Sequence, residues 1–143
     1  SARAAARRVA RTRVSGIEKR LGTRFTADTI ARLAQLYPHI RFIWLMGADN
    51  LVHLHQWERW RDLARTVPIA VFARPRYLGD ALTAPAMGWL RRFKRAPAAA
   101  RNWSDWRPPA IVILPIRLDP TSATAIRAGN PRWAEDIGAG QPE

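Results

Sequence analysis

The sequence predicts an α/β fold with a parallel sheet. Three observations point there. The runs 41–48 (RFIWLMGA), 68–73 (PIAVFA) and 110–114 (AIVIL) are continuously apolar rather than alternating. That pattern suits strands covered on both faces, as in parallel sheets. Segments of helical periodicity separate the runs, as crossover helices do. With 143 residues, the chain has room for one domain with a modest core, expected to span 1–143.

The elements follow in order. Residues 1–13 are rich in Ala and Arg and contain no acid. That composition resembles a transit peptide, but no cleavable apolar segment accompanies it, and an ordinary surface helix is the expected state. Residues 14–17 form a short candidate strand. Residues 26–37 read as a helix, with Ile30, Leu33, Leu36 and Tyr37 at helical spacing and Pro38 as the stop. Run 41–48 is the first buried strand. Residues 49–65 are helical, in two pieces, with Trp57, Trp60, Leu63 and Ala64 on one face. Run 68–73 is the second buried strand, ended by Arg74-Pro75-Arg76. Residues 81–93 form a helix interrupted by Pro85 and Gly88. Residues 95–109, rich in Pro, Ala and Arg, are expected to be a surface loop. Run 110–114 is the third strand. Asp119-Pro120-Thr121-Ser122 is N-cap chemistry and opens a helix over 121–128. Residues 138–143 are expected to be a flexible tail. No internal repeat is present.

Composition narrows the function. With 24 Lys+Arg against 11 Asp+Glu the net charge is +13, and only Lys19 and Lys94 are lysines. Hydrophobic residues make up 48%, with seven Trp, which argues against a disordered basic tail. The absence of cysteine excludes a disulfide scaffold, a thiolate zinc site and a Cys nucleophile, and is compatible with a cytoplasmic protein. The longest apolar run falls far short of the roughly 20 residues of a membrane-spanning helix. No membrane partner is expected. The positive charge directs attention to anions such as nucleotides or nucleic acid.

In α/β sheets, ligands sit at the carboxyl ends of the strands. Several constellations carry possible chemistry. Thr121-Ser122-Ala123-Thr124-Ala125-Ile126-Arg127 follows a strand and opens a helix. Its hydroxyls, free amides and one guanidinium suit phosphate; simple N-capping beside a solvated Arg127 explains the pattern equally well. Gly47-Ala48-Asp49 ends the most apolar strand. Gly47 allows close backbone approach, and Asp49 could accept from ribose hydroxyls; a strand-to-helix turn with Asp49 as N-cap is the plainer alternative. Trp57 could stack on a planar ring, although paired Trp at helical spacing are more often core. His53 and His55 lie about 200° apart on a helix and share no acidic cluster, so no metal site is assigned. The arginine pairs raise a nucleic-acid surface, yet no recognised nucleic-acid motif accompanies them.

Three ordered blocks carry a family resemblance. They are Gly22-Thr23-Arg24-Phe25-Thr26-Ala27-Asp28-Thr29, then Trp44-Leu45-Met46-Gly47-Ala48-Asp49-Asn50 continuing to Trp57 and Trp60, then 121–127. In order and spacing they resemble bacterial nicotinate-mononucleotide adenylyltransferases, with the alphaproteobacterial branch closest. The resemblance runs from about residue 7 to 128. It implies a Rossmann-like nucleotidyltransferase fold. It also implies transfer of AMP from ATP, taken with Mg²⁺, to nicotinate mononucleotide, giving nicotinate adenine dinucleotide and pyrophosphate in NAD biosynthesis. Carried over by position, Thr26 would meet the nicotinate carboxylate and Trp57 would stack on the pyridine. Gly47, Asp49 and Arg74 would hold the adenylate side, and Ser122, Thr124 and Arg127 the ATP phosphates.

The match has departures. Phe25 stands where the family usually has Tyr, and Arg76 where it has Gly after Arg-Pro. Ala123 stands where the resemblance implies a phosphate-facing hydroxyl, whose loss would cost about 1–3 kcal/mol of binding. The family's Gly-x-Phe-x-Pro-x-His-x-x-His segment, whose histidines stabilise the transferring phosphate, is absent from these 143 residues. The expectation is therefore a truncated form, missing the N-terminal strand, with no assigned catalytic residue and weak or no turnover alone. The alternative function is a non-catalytic basic module binding RNA or an acidic partner. The sister pantetheine-phosphate adenylyltransferases fit less well, because the Thr26 block and Trp57 count against them. A homo-oligomer is compatible with the sequence; a nucleic-acid partner is not expected.

Overall fold

The computed structural model describes residues 2–7 and 9–116. They fall into two units, residues 2–17 and residues 18–116. In the first, alanine propensity supports only a short helix, α1 (Ala2–Ala6). Turns follow, with Arg11 at φ 64°. The strand expected over 14–17 does not form. Val14 is exposed in irregular backbone, and Ile17 instead opens α2 (Ile17–Leu21), where Glu-Lys-Arg-Leu favours helix.

The second unit holds the sheet. Gly22, at φ +66°, ends α2. The Thr23 amide reaches back to the Glu18 carbonyl and the Gly22 amide to that of Lys19, the paired bonds of a left-handed helix stop. The chain then enters α3 (Thr26–Leu36). Its inner face is Ala27, Ile30 and Leu33. Leu36 and Tyr37, expected on that face, are 45% exposed at the fraying end.

The strands are β1 (Trp44–Gly47), β2 (Ile69–Ala73), β3 (Lys94–Arg95) and β4 (Ile111–Pro115). They pair in parallel, as the apolar runs behind β1, β2 and β4 predict, in the order β1-β2-β4-β3; β3 follows from no apolar run. Between β1 and β2 lie α4 (Ala48–His53), a 3₁₀ turn and α5 (Trp60–Thr66). Between β2 and β3 lie a second 3₁₀ turn, α6 (Leu78–Leu82) and α7 (Met87–Leu90). The helical stretch thus starts earlier than predicted and breaks around Pro85 as expected, whereas Gly88, expected as a second interruption, lies inside α7. The segment expected as a loop over 95–109 contains the end of the two-residue β3 and 3₁₀ turns over Pro97–Asp105. Trp106 at its end is buried.

The sheet has unequal faces. Met46, Ile69, Val71, Ile111 and Ile113 pack with Leu51, Leu54, Leu63, Met87 and Leu90 of the helices in the main core. Ala70, Val112, Trp103 and Trp106 form a smaller cluster. Leu45 pairs in register with Ala70 but is 56% exposed. Cover on both faces, expected for the whole run 41–48, is therefore not found on β1 among the described residues. The Trp103–Trp106 segment covers Ala70 and Val112 in the two middle strands, and β1 lies at the edge of the order.

Candidate functional site at the carboxyl end of the sheet

β1 ends at Gly47 and passes into α4 without a loop. Gly47 is the N-cap, with φ −82° and ψ 165°, and supplies no side-chain cap. Asp49 is therefore not the N-cap but sits in the first turn, where the helix dipole favours a carboxylate. A methyl group on residue 47 would come within 2.6 Å of Asp49 Oδ1. The carboxylate folds back over the strand end, and a residue without Cβ leaves it the space.

Asp49 opens onto a groove of about 200 Å³. Ala48, Val52 and His53 of α4 form one wall, and Tyr77 and Asp80 the other. His53 follows Asp49 by four residues, hence on the same helix face. Arg74 stands at the end of β2 and caps the 3₁₀ turn Pro75–Tyr77; its carbonyl accepts the Tyr77 amide at 2.8 Å. Arg76 lies over the Tyr77 ring, 5.3 Å from its centroid. Gly47, Asp49 and Arg74 thus share the carboxyl ends of two adjacent strands, since Gly47 pairs with Phe72.

The Thr26 block forms a second part. Buried Thr29 is bonded to Thr23 (Oγ1 to Oγ1, 2.7 Å) and donates to the Phe25 carbonyl (3.2 Å). These bonds tie the entry loop to the start of α3. Phe25, the N-cap, has no side-chain cap bond, and the first intrahelical amide bond runs from Thr29 to Phe25. The amides of Thr26, Ala27 and Asp28 precede it, at the positive end of an 11-residue helix.

Trp57 follows the 3₁₀ turn Leu54–Gln56. Its ring is half-buried against the core and meets Trp44 edge to face, centroids 6.3 Å apart. Trp60 meets Trp89 at 5.6 Å and carries the Arg61 guanidinium on its face. Asp28 in the first turn of α3 forms an ion pair with Arg59, two residues beyond Trp57. The pair joins the Thr26 and Trp57 segments.

Ser122, Thr124 and Arg127 lie outside the described residues. Sequence reasoning weighed His53 only as a metal ligand and missed Tyr77 and Asp80. Their only signal was position: one turn after Asp49, or just past a strand. It also missed Asp28 and Arg59, opposite charges far apart in sequence with no local pattern between them. A larger groove, about 550 Å³, opens at the other end of the sheet, between Phe42, Pro68, Trp103 and Trp106. It faces the amino ends of the strands, away from the loops that bind ligands in this architecture. Among the described residues several arginines cover aromatic rings, as Arg61 and Arg65 do on Trp89 and Arg95 on Trp106. Among the described residues, no helix is long and apolar enough to cross a membrane.

No protein-family model matches the chain. Individual relatives do, each named as a probable nicotinate-nucleotide adenylyltransferase. The one from Erythrobacter litoralis (strain HTCC2594) is 51% identical over 121 residues, 85% of this chain and 55% of the relative. One from Cereibacter sphaeroides (strain ATCC 17025) is 48% identical over 84% of this chain and 63% of its own length. One from Bradyrhizobium sp. (strain ORS 278) is 43% identical over 133 residues, 91% of this chain and 69% of the relative. The chain spans 55% and 63% of the lengths of the first two. These names speak for the enzyme reading and lend nothing to the basic-module alternative. With identity of this level over more than two-thirds of a relative, the chain belongs to the nicotinate-nucleotide adenylyltransferase family.

Proposed function

We propose that the chain is a cytoplasmic nicotinate-nucleotide adenylyltransferase, taking nicotinate mononucleotide and Mg-ATP as substrates. The observation that carries this reading is the ion-paired join between the Thr26 helix start and the Trp57 loop, in a member of this family. A pyridine bearing a carboxylate needs an aromatic face and a cluster of N–H donors close together. Trp57 supplies the face. The uncapped amides at the start of α3, with the Thr26 hydroxyl, supply the donors.

In the reaction, a phosphate oxygen of nicotinate mononucleotide attacks the α-phosphorus of ATP. The bond from that phosphorus to the bridging oxygen breaks, and pyrophosphate leaves. No covalent enzyme intermediate is needed, so the protein contributes orientation and electrostatics. Asp49 accepts hydrogen bonds from the adenosine ribose across the turn that Gly47 leaves open. Arg74 lies beside the adenylate. Ser122, Thr124 and Arg127 hold the phosphates. Thr26 and Trp57 fix the pyridine, and with it the attacking phosphate.

Calorimetric titration of the chain with nicotinate mononucleotide, nicotinamide mononucleotide and Mg-ATP tests this. Binding of Mg-ATP and a preference for the nicotinate form are expected. Failure to bind either substrate overturns the assignment.

A further inference from the structure

We propose that Asp28 and Arg59 form a positioning latch that sets selectivity for a pyridine carrying a carboxylate. The inference rests on the binding reading above and deepens it. Two independent observations meet at Arg59. It is the partner of Asp28 across two elements. It also holds φ 51° and ψ 41° as the N-cap of α5, a left-handed conformation uncommon for a residue with a side chain. Such backbone persists when surrounding contacts over-determine it, and it clusters at sites where geometry matters.

The contacts form a chain. Thr23 and Thr29 pin the entry loop to the first turn of α3. Asp28, in that turn, holds Arg59. Trp57 lies two residues before Arg59, with its amide bonded to Leu54 and its ring against Trp44. The latch therefore controls how far the stacking indole sits from the amides of Thr26, Ala27 and Asp28. A pyridine can stack without that register; its carboxylate cannot reach the amides without it. Loss of the latch should weaken the carboxylate contact more than the stack. Selectivity is then the quantity it governs, not stability. The pair is partly exposed, with 31% of the Asp28 side chain and 51% of Arg59 accessible, and exposed pairs contribute little to folding.

The test is calorimetry on the whole chain, comparing nicotinate with nicotinamide mononucleotide and using Mg-ATP as the control ligand. Asp28→Asn and Arg59→Gln should each weaken nicotinate mononucleotide about tenfold, or about 1.4 kcal/mol. The preference over the nicotinamide form should shrink, with Mg-ATP affinity unchanged. The charge swap Asp28→Arg/Arg59→Asp should recover most of the preference, because Asp tolerates the left-handed conformation. Single variants with wild-type selectivity overturn the latch. Equal losses toward both mononucleotides and ATP, or a swap that recovers nothing, overturn it too. Should Asp28→Asn fail to fold, Arg59→Lys keeps the charge without the fork, and an unchanged preference there overturns the latch equally. A wild-type chain that ignores nicotinate mononucleotide overturns the underlying site assignment instead, a result no variant can mimic.

Discussion

Replacing Gly47 with Ala should separate binding from stability. The backbone at 47, φ −82° and ψ 165°, lies in a region open to any residue. Removing a glycine where its conformation is ordinary stabilises a fold by about 0.4–1 kcal/mol, through the unfolded chain. Among the described residues, the close obstacle is the carboxylate of Asp49. Its Oδ1 would lie 2.6 Å from the new carbon, against 3.4 Å or more for an ordinary contact. The oxygen must move by about 0.8 Å. The end of an exposed side chain can do so at little cost, and the two effects largely cancel in stability. Binding does not share that tolerance. An O–H···O⁻ bond is about 2.5–2.7 Å long, so a shift of this size breaks or bends it. Losing a hydrogen bond to a charged acceptor costs about 1.5–3 kcal/mol, and Mg-ATP should bind about ten- to hundredfold more weakly. Thermal melting followed by calorimetric titration reads both quantities. A variant that melts near wild type and binds Mg-ATP with wild-type affinity refutes the role given to Asp49. A variant that does not fold refutes the claim that the side chain yields.

Other substitutions probe the frame around the site. Leu63→Ala empties a fully buried position and should cost about 2–5 kcal/mol in urea unfolding. Thr29→Val keeps the shape but cuts the bonds to Thr23 and the Phe25 carbonyl; a loss of about 1–3 kcal/mol is expected by the same measurement. Trp57→Leu should weaken nicotinate mononucleotide about two- to tenfold, as loss of an aromatic stack predicts, with Mg-ATP binding unchanged in the same titrations.

The amino-acid order alone marked the three apolar strands β1, β2 and β4 and the proline stops near α3 and α6, but not β3, and its candidate strand over 14–17 does not form. Runs 68–73 and 110–114 are apolar throughout because both faces of their strands are largely covered, with Phe72 and Leu114 more open near the strand ends. Burial of that kind leaves its mark on successive residues. Pro38, Pro68 and Pro85 mark boundaries because proline lacks an amide and restricts its neighbour. The Gly47-Ala48-Asp49 corner was legible for the same local reason: a strand gives way to a helix where small and acidic residues meet. Tertiary structure decided the rest. Leu45 reads as core by composition, yet its strand lies at the edge of the order β1-β2-β4-β3. The two residues of β3 are strand only because β4 offers them partners. Asp28 finds Arg59, and Trp57 turns its ring to Trp44, through packing between elements far apart in the chain. Periodicity records whether a residue is buried, but it does not record against what. Strand order, ion pairing and ring geometry depend on the identity of the neighbour, and only the folded chain supplies that.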